Sequence, residues 1–192
     1  MRKSKGFFYG LFNGKIDTEL WNVARYEAIS TNLGGSKDPD FLKFADNGSG
    51  SQGVFAYHFD KSQEQELYQT VTIPRMYKEG TNIYPFIHWM PKDSGTGTVR
   101  WAMEFSNASI GEVFGNTVFI YKEQSGEGTA LIHQVAIFDG VGAAGFSKSG
   151  MGSVRVFRDA THENDTYDAD AILVEFGFVY EMDSVGTSTL DV

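Results

Sequence analysis

Thirteen residues from Arg158 to Asp170, with the sequence RDATHENDTYDAD, hold five carboxylates and are the part of the chain best suited to bind a cation. Calcium takes six to eight oxygen ligands, commonly from loops rich in Asp and Asn. The spacing differs from that of an EF-hand, which needs Gly at its sixth position and Glu at its twelfth. A calcium site here would draw its oxygens from Asp159, Asn164, Asp165, Asp168 and Asp170.

A mechanical role for the same stretch is the alternative that we favour. Asp and Asn side chains accept hydrogen bonds from backbone amides two or three residues further on, and so hold tight turns. Arg155 and Arg158 are close in sequence, and their guanidinium groups can neutralise carboxylates. We therefore expect Asp165 and Asp168 to bond to backbone amides or arginines. No cofactor is required for this role, and calcium stays the alternative.

Patterns typical of an active site are missing from the rest of the sequence. The chain has no cysteine, which excludes disulfides, thiolate metal sites and cysteine nucleophiles. It has no Gly-x-Ser-x-Gly turn. Its predicted strands carry glutamates, but exposed glutamates on strands are common and do not by themselves indicate catalysis. No two histidines have the i, i+4 spacing of a helical zinc site, although strand histidines can meet across a sheet. The four are His58, His88, His133 and His162. We predict that the protein is not an enzyme.

The elements that must position these residues are strands. From Gly53 onward, apolar and polar residues alternate in short runs separated by Gly, Pro, Asn or Ser, which predicts strands. The eight predicted strands are 53–59, 67–73, 82–90, 98–105, 117–123, 129–138, 152–159 and 171–182. The chain has 16 Phe, 9 Tyr and 22 Gly, which also favours an all-β fold. We predict an antiparallel two-sheet β-sandwich, most plausibly a jelly roll, over residues 51–192.

The first fifty residues are predicted to be an N-terminal arm or a peripheral layer. The segment ELWNVARYEAI fits a capped helix or a strand, and turn-forming residues follow it. This region also holds aromatic residues that suit anchors in the pockets of a partner surface. They are Phe7, Phe8, Tyr9, Phe12 and Trp21. The alternative, that they belong to the protein's own core, stays open.

Charge and hydropathy narrow the range of partners. The formal net charge is −9, and residues 101–192 hold 4 basic against 14 acidic residues. An acidic half repels phosphate backbones, so we expect no nucleic-acid partner. No apolar run approaches the length of a membrane span, so we expect no membrane partner either. The chain is expected to be soluble and without an export signal.

Three collinear segments resemble a group of tailed-bacteriophage virion structural proteins. They read LYQTVTIPRMYKEGTNIYPFIHWMP, GTVRWAMEFSNASIGEVF and VRVFRDATHENDTYDADAILVEFGFVYEMDSVGT. Members of this group typically carry related motifs, including His-Trp-x-Pro and Arg-Asp-Ala-Thr. This chain departs from them by having one histidine in Phe86–Trp89 and none in Phe178–Tyr180.

The resemblance implies a virion building block rather than an enzyme. We expect a capsid decoration (cement) protein, assembled in the host cytoplasm, found in the virion and in contact with itself as a homotrimer and with the major capsid protein. The alternatives are a receptor- or carbohydrate-binding β-sandwich module of a tail fibre, and a tail or neck adaptor. Trp89 and Trp101 lie in apolar strand contexts, which favours a place in the core over sugar stacking.

Overall fold

The computed structural model describes residues 15–142 and 145–186, with side chains from residue 19 onward. Within these residues the chain forms strands and one short 3-10 helix, Ala28–Ser30. The strands are β1 (Lys15–Glu27), β2 (Asn32–Leu33), β3 (Asp40–Ala45), β4 (Val54–Phe59), β5 (Gln65–Thr72), β6 (Ile83–Pro91), β7 (Thr98–Ala108), β8 (Val118–Ser125), β9 (Gln134–Ile137), β10 (Met151–Arg158) and β11 (Ala171–Ser184). No helix of the described part of the chain is long and apolar enough to cross a membrane.

Strands β4 to β11 form the jelly roll that the sequence predicts. The first sheet runs β4, β11, β6, β9 and the second runs β5, β10, β7, β8, with antiparallel pairing throughout. The fold class is therefore confirmed, and each of the eight predicted strands is present. The sixth is shorter than predicted because Leu131 adopts a left-handed φ of 58°, which interrupts the extended backbone before Gln134.

The strands before residue 50 lie at the margins of the two sheets. β1 pairs with the second half of β11, β3 pairs with β4, and β2 pairs with β5. The ambiguous segment ELWNVARYEAI is therefore a strand that ends in the 3-10 turn. Residues 15–45 therefore contribute strands to both sheets, and the division at residue 50 between an arm or peripheral layer and the sandwich stays a prediction.

The core lies between the sheets and follows the predicted alternation on β7. The four residues predicted to face inward are buried, namely Val99, Trp101, Met103 and Phe105. Ala102 points to the opposite face, as predicted, yet it is also buried. Its neighbours across the ladder, Phe157 and Tyr121, are large aromatic residues that cover it.

Candidate functional site

The acidic stretch is organised by one fully buried ion pair. Arg158 ends β10, and its guanidinium donates to the two carboxylate oxygens of Asp165, at 3.0 and 2.7 Å. Both side chains are almost completely shielded from solvent. The other three N–H groups of Arg158 donate to the backbone carbonyl oxygens of Phe59, Ala169 and Tyr167. All five donors of the guanidinium are thus used, and the loop is fixed against the end of β4.

Asp165 also joins the loop to β7. Its Oδ2 accepts a hydrogen bond from the backbone N–H of Arg100, at 2.9 Å. The prediction that Asp165 bonds to an arginine and a backbone amide is confirmed. For Asp168 the prediction is wrong, because its exposed carboxylate pairs with Lys61 instead, at 2.6 Å.

The remaining candidate calcium ligands point to separate partners. Asp159 accepts from Arg100 at 3.0 Å, and Asp170 pairs with Lys92 at 2.5 Å. Asn164 donates to Glu123 at 2.7 Å. Across residues 15–142 and 145–186, no group of three or more His, Asp or Glu side chains is arranged to hold a metal ion. The stretch is therefore a structural connection in this structure, and calcium binding stays open to experiment.

Two histidines meet on the outer face of the first sheet. His88 Nδ1 lies 2.6 Å from His133 Nε2, and the rings stack with centroids 4.8 Å apart. Glu175 Oε1 lies 3.6 Å from His88 Nε2, and Glu175 also pairs with Arg25. Partial burial lowers the pKa of His88, and His133 and Arg25 lower it further against the opposing charge of Glu175. The sequence predicts both histidines on strands, but His133 lies just before β9. The pairing of β9 with β6 brings it beside His88.

His58 lies apart from that pair and is buried without a hydrogen bond. Neither ring nitrogen finds a partner among the described residues, and Asp170 Oδ2 is 3.9 Å from Nδ1. Burial lowers the pKa of His58, and the charge of Lys92 lowers it further, while Asp170 and Asp40 act in the opposite direction. Of the three predicted strand histidines, His88 and His133 therefore meet, and His58 lies apart from them.

The lowered pKa of His58 predicts a loss of stability in mild acid. The unfolded chain binds the proton near pH 6.5, whereas the folded protein binds it only at lower pH. The free energy of unfolding should therefore fall as the pH drops from 6.5 towards the folded pKa. We expect urea denaturation of His58→Leu to show a smaller loss between pH 7.5 and 5 than the wild type. An identical pH dependence in both proteins would contradict the assignment.

An open groove lies on the first sheet where β1 and β4 diverge. Both strands pair with the same side of β11, β4 at Ala171–Leu173 and β1 from Glu175 onward, with an irregularity between them. The groove has a volume of about 400 Å³. Its lining includes Ile29, Phe44, Val54, Phe55 and Val174, together with the acidic residues Glu27 and Glu175. We call this feature the β1–β4 groove.

Apolar exposure continues beside the β1–β4 groove. Phe41 on the edge strand β3 is half exposed and stacks on Phe55, with ring centroids 5.7 Å apart. Leu42 and Val54 on the same pair of strands are also exposed. Edge strands with exposed apolar residues are usually covered by another chain or element.

The outer face of the second sheet carries a network of arginines and aromatic rings. Arg155 lies 3.9 Å above the ring of Phe157 and is hydrogen-bonded to Glu64 and Glu66 at 2.6 Å. Phe119 and Tyr121 on the edge strand β8 are each about half exposed. Arg155, Glu64 and Glu66 neutralise one another. The exposed rings of Phe119 and Tyr121 are therefore the part of this face available for contacts.

Trp21 is the contact candidate that the structure describes. It lies on β1, is 45% exposed, and meets Tyr84 edge to face with ring centroids 5.7 Å apart. Trp89 and Trp101 are fully buried, as their apolar contexts predict. The other predicted contact residues, Phe7, Phe8, Tyr9 and Phe12, lie outside the described residues.

Comparison with protein-family models and with curated proteins gives no match. Among solved structures, the carbohydrate-binding module CBM36 in complex with calcium and xylotriose has a TM-score of 0.40 and 12% identity, covering 81% of this chain and 98% of that chain. TmCBM61 in complex with β-1,4-galactotriose has a TM-score of 0.36 and 17% identity, covering 85% and 88%. A Cry1Da core variant from Bacillus thuringiensis has a TM-score of 0.44 and 9% identity, covering 86% and 24%.

These likenesses extend to the general architecture and no further. The chain is a jelly-roll β-sandwich, with two antiparallel sheets around one core. Neither the sequence comparisons nor these structures support the resemblance to phage virion proteins, which stays a prediction.

Proposed function

We propose that this protein is a structural component of a bacteriophage particle, most specifically a capsid decoration protein that contacts its own copies and the major capsid protein. The observation that carries the proposal is the exposed apolar surface around the β1–β4 groove and along β8. Contiguous apolar patches of this kind mark interaction surfaces in soluble proteins. The motifs that resemble virion proteins indicate the class of partner.

Assembly makes use of such a surface. A stable protein interface buries about 800 Å² on each partner, a small part of the 11320 Å² that this chain exposes. Covering exposed Phe, Leu and Val side chains removes apolar area from water at roughly 25 cal/mol per Å². A decoration protein that binds only the assembled shell would stabilise the shell by mass action.

Tyr167 has a structural role in the acidic stretch. Burial raises the pKa of Tyr167 to about 12. Its hydroxyl donates to the Asp93 carboxylate at 2.8 Å and accepts from the Asp93 backbone N–H at 3.0 Å. This tyrosine anchors a turn, and its neutral phenol is not a group poised to exchange protons near neutral pH. That the protein is not an enzyme stays a prediction.

Copy number in purified particles of the phage that encodes the chain tests the proposal. Decoration repeats with the symmetry of the shell, so quantitative mass spectrometry should find on the order of hundreds of copies per particle. A few copies would identify a tail or neck adaptor instead, and absence from the particle would overturn the virion role. Gel filtration should show an oligomer, with a homotrimer as the expected form.

Carbohydrate binding is the second candidate, and Trp21 is the observation that favours it. Trp21 is exposed beside Tyr84, and its neighbour across the ladder, Glu181, is paired with Lys78. Flat aromatic rings with polar groups at their edge are typical of small-ligand sites. A glycan array with selective binding by the wild type, lost in Trp21→Ala, would favour this candidate over decoration.

A further inference from the structure

We propose that the β1–β4 groove binds the N-terminal aromatic segment of a second copy of this chain, residues 6–12 with the sequence GFFYGLF. The inference rests on the proposed function, because it supplies the contact by which copies would associate.

The groove needs an apolar occupant. Val54 is 54% exposed and Phe55 is 44% exposed, although both belong to a regular strand. Val174, at the irregularity in β11, is also exposed and lines the groove. At about 400 Å³, the groove is large enough for aromatic side chains.

The N-terminal segment matches the groove in polarity and charge. Five of its seven residues are large and apolar, and Arg2, Lys3 and Lys5 precede it. Residues 1–14 contain three basic residues and no acidic one, while the whole chain carries −9. Glu27 lines the groove, as does Glu175, which is already paired with Arg25. The negative charge of Glu27 would steer a basic aromatic segment to this surface.

The segment as a whole cannot reach the groove of its own chain. β1 runs from Lys15, opposite Ser184, to Glu27, at the groove. Lys15 and Glu27 lie opposite residues that are nine apart on β11, so about 30 Å separates them along the ladder. Full extension carries Phe7 about 28 Å from Lys15 but carries Phe12 only about 10 Å, so the segment as a whole falls short of the groove. Occupancy of the groove by the whole segment therefore requires a neighbouring copy.

The absence of native cysteine allows a clean cross-linking test. Two full-length proteins are prepared, Phe8→Cys and Val54→Cys, then mixed and oxidised gently. We expect a disulfide-linked heterodimer, with a yield about tenfold above that of the matched pair Phe8→Cys and Val113→Cys, the ratio that a preference of 1.4 kcal/mol produces. Val113 is highly exposed in the loop between β7 and β8 of the other sheet.

Three outcomes would overturn the inference. They are equal yields with both partners, no cross-link in either mixture, and closure within single chains of a dilute Phe8→Cys, Val54→Cys double variant. Particle analysis separates this inference from the proposed function. A protein present in particles without the cross-link would retain the virion role alone, and a cross-linked protein absent from particles would retain the groove contact alone.

Discussion

Replacing Asp165 by Ala is expected to lower the free energy of unfolding by about 3–5 kcal/mol, the usual result of removing one partner of a buried ion pair. Arg158 would keep its charge in the interior, with two of its five donors left without their acceptor. The backbone N–H of Arg100 would also lose its bond to the loop. Urea denaturation measures the change. Because domains are stable by only about 5–15 kcal/mol, the loss would be large.

The matched control lies three residues away. Asp168→Ala removes an exposed carboxylate from its pair with Lys61, and exposed pairs contribute little, so stability should change by less than about 0.5 kcal/mol. Equal losses in the two variants would contradict the role assigned to Asp165. The calcium alternative has its own signature. A calcium-dependent rise in the melting temperature, abolished by Asp165→Ala, would show that the loop binds the ion.

Trp101→Ala is expected to cost about 3–5 kcal/mol as well, because it opens a cavity in a close-packed core. The indole is fully buried and meets Phe59 and Trp89 edge to face, with centroids 5.4 and 6.1 Å away. These residues belong to both sheets, so the ring helps to hold the sheets together. Thermal and urea denaturation should both show the loss.

Trp21→Ala is the control for the core tryptophan. Trp21 is half exposed on β1, so its removal should destabilise the fold by clearly less than Trp101→Ala. The comparison also separates core tryptophans from a surface tryptophan available for contacts. A Trp101→Ala protein as stable as the wild type would contradict its placement in the core.

The strands of the jelly roll were predictable because alternation reports directly on a sheet with one buried face. Val99 and Trp101 show this, because they lie two positions apart on β7 and both are apolar and buried. Residues 15–45 were harder to interpret because β1 lies at a margin, where polar and apolar residues mix on the outer face. Ala102 shows a related limit, because its burial depends on aromatic residues from two neighbouring strands.

The sequence by itself determined the all-β class and the eight jelly-roll strands, and it singled out Asp165 as a partner for an arginine or a backbone amide. The strands depend on local periodicity. Only the tertiary structure decided that Arg158 is buried with all its donors used, that His88 meets His133, and that β1 and β4 leave a groove. Each of these depends on strand register and on the return of distant segments, which short-range sequence patterns do not encode.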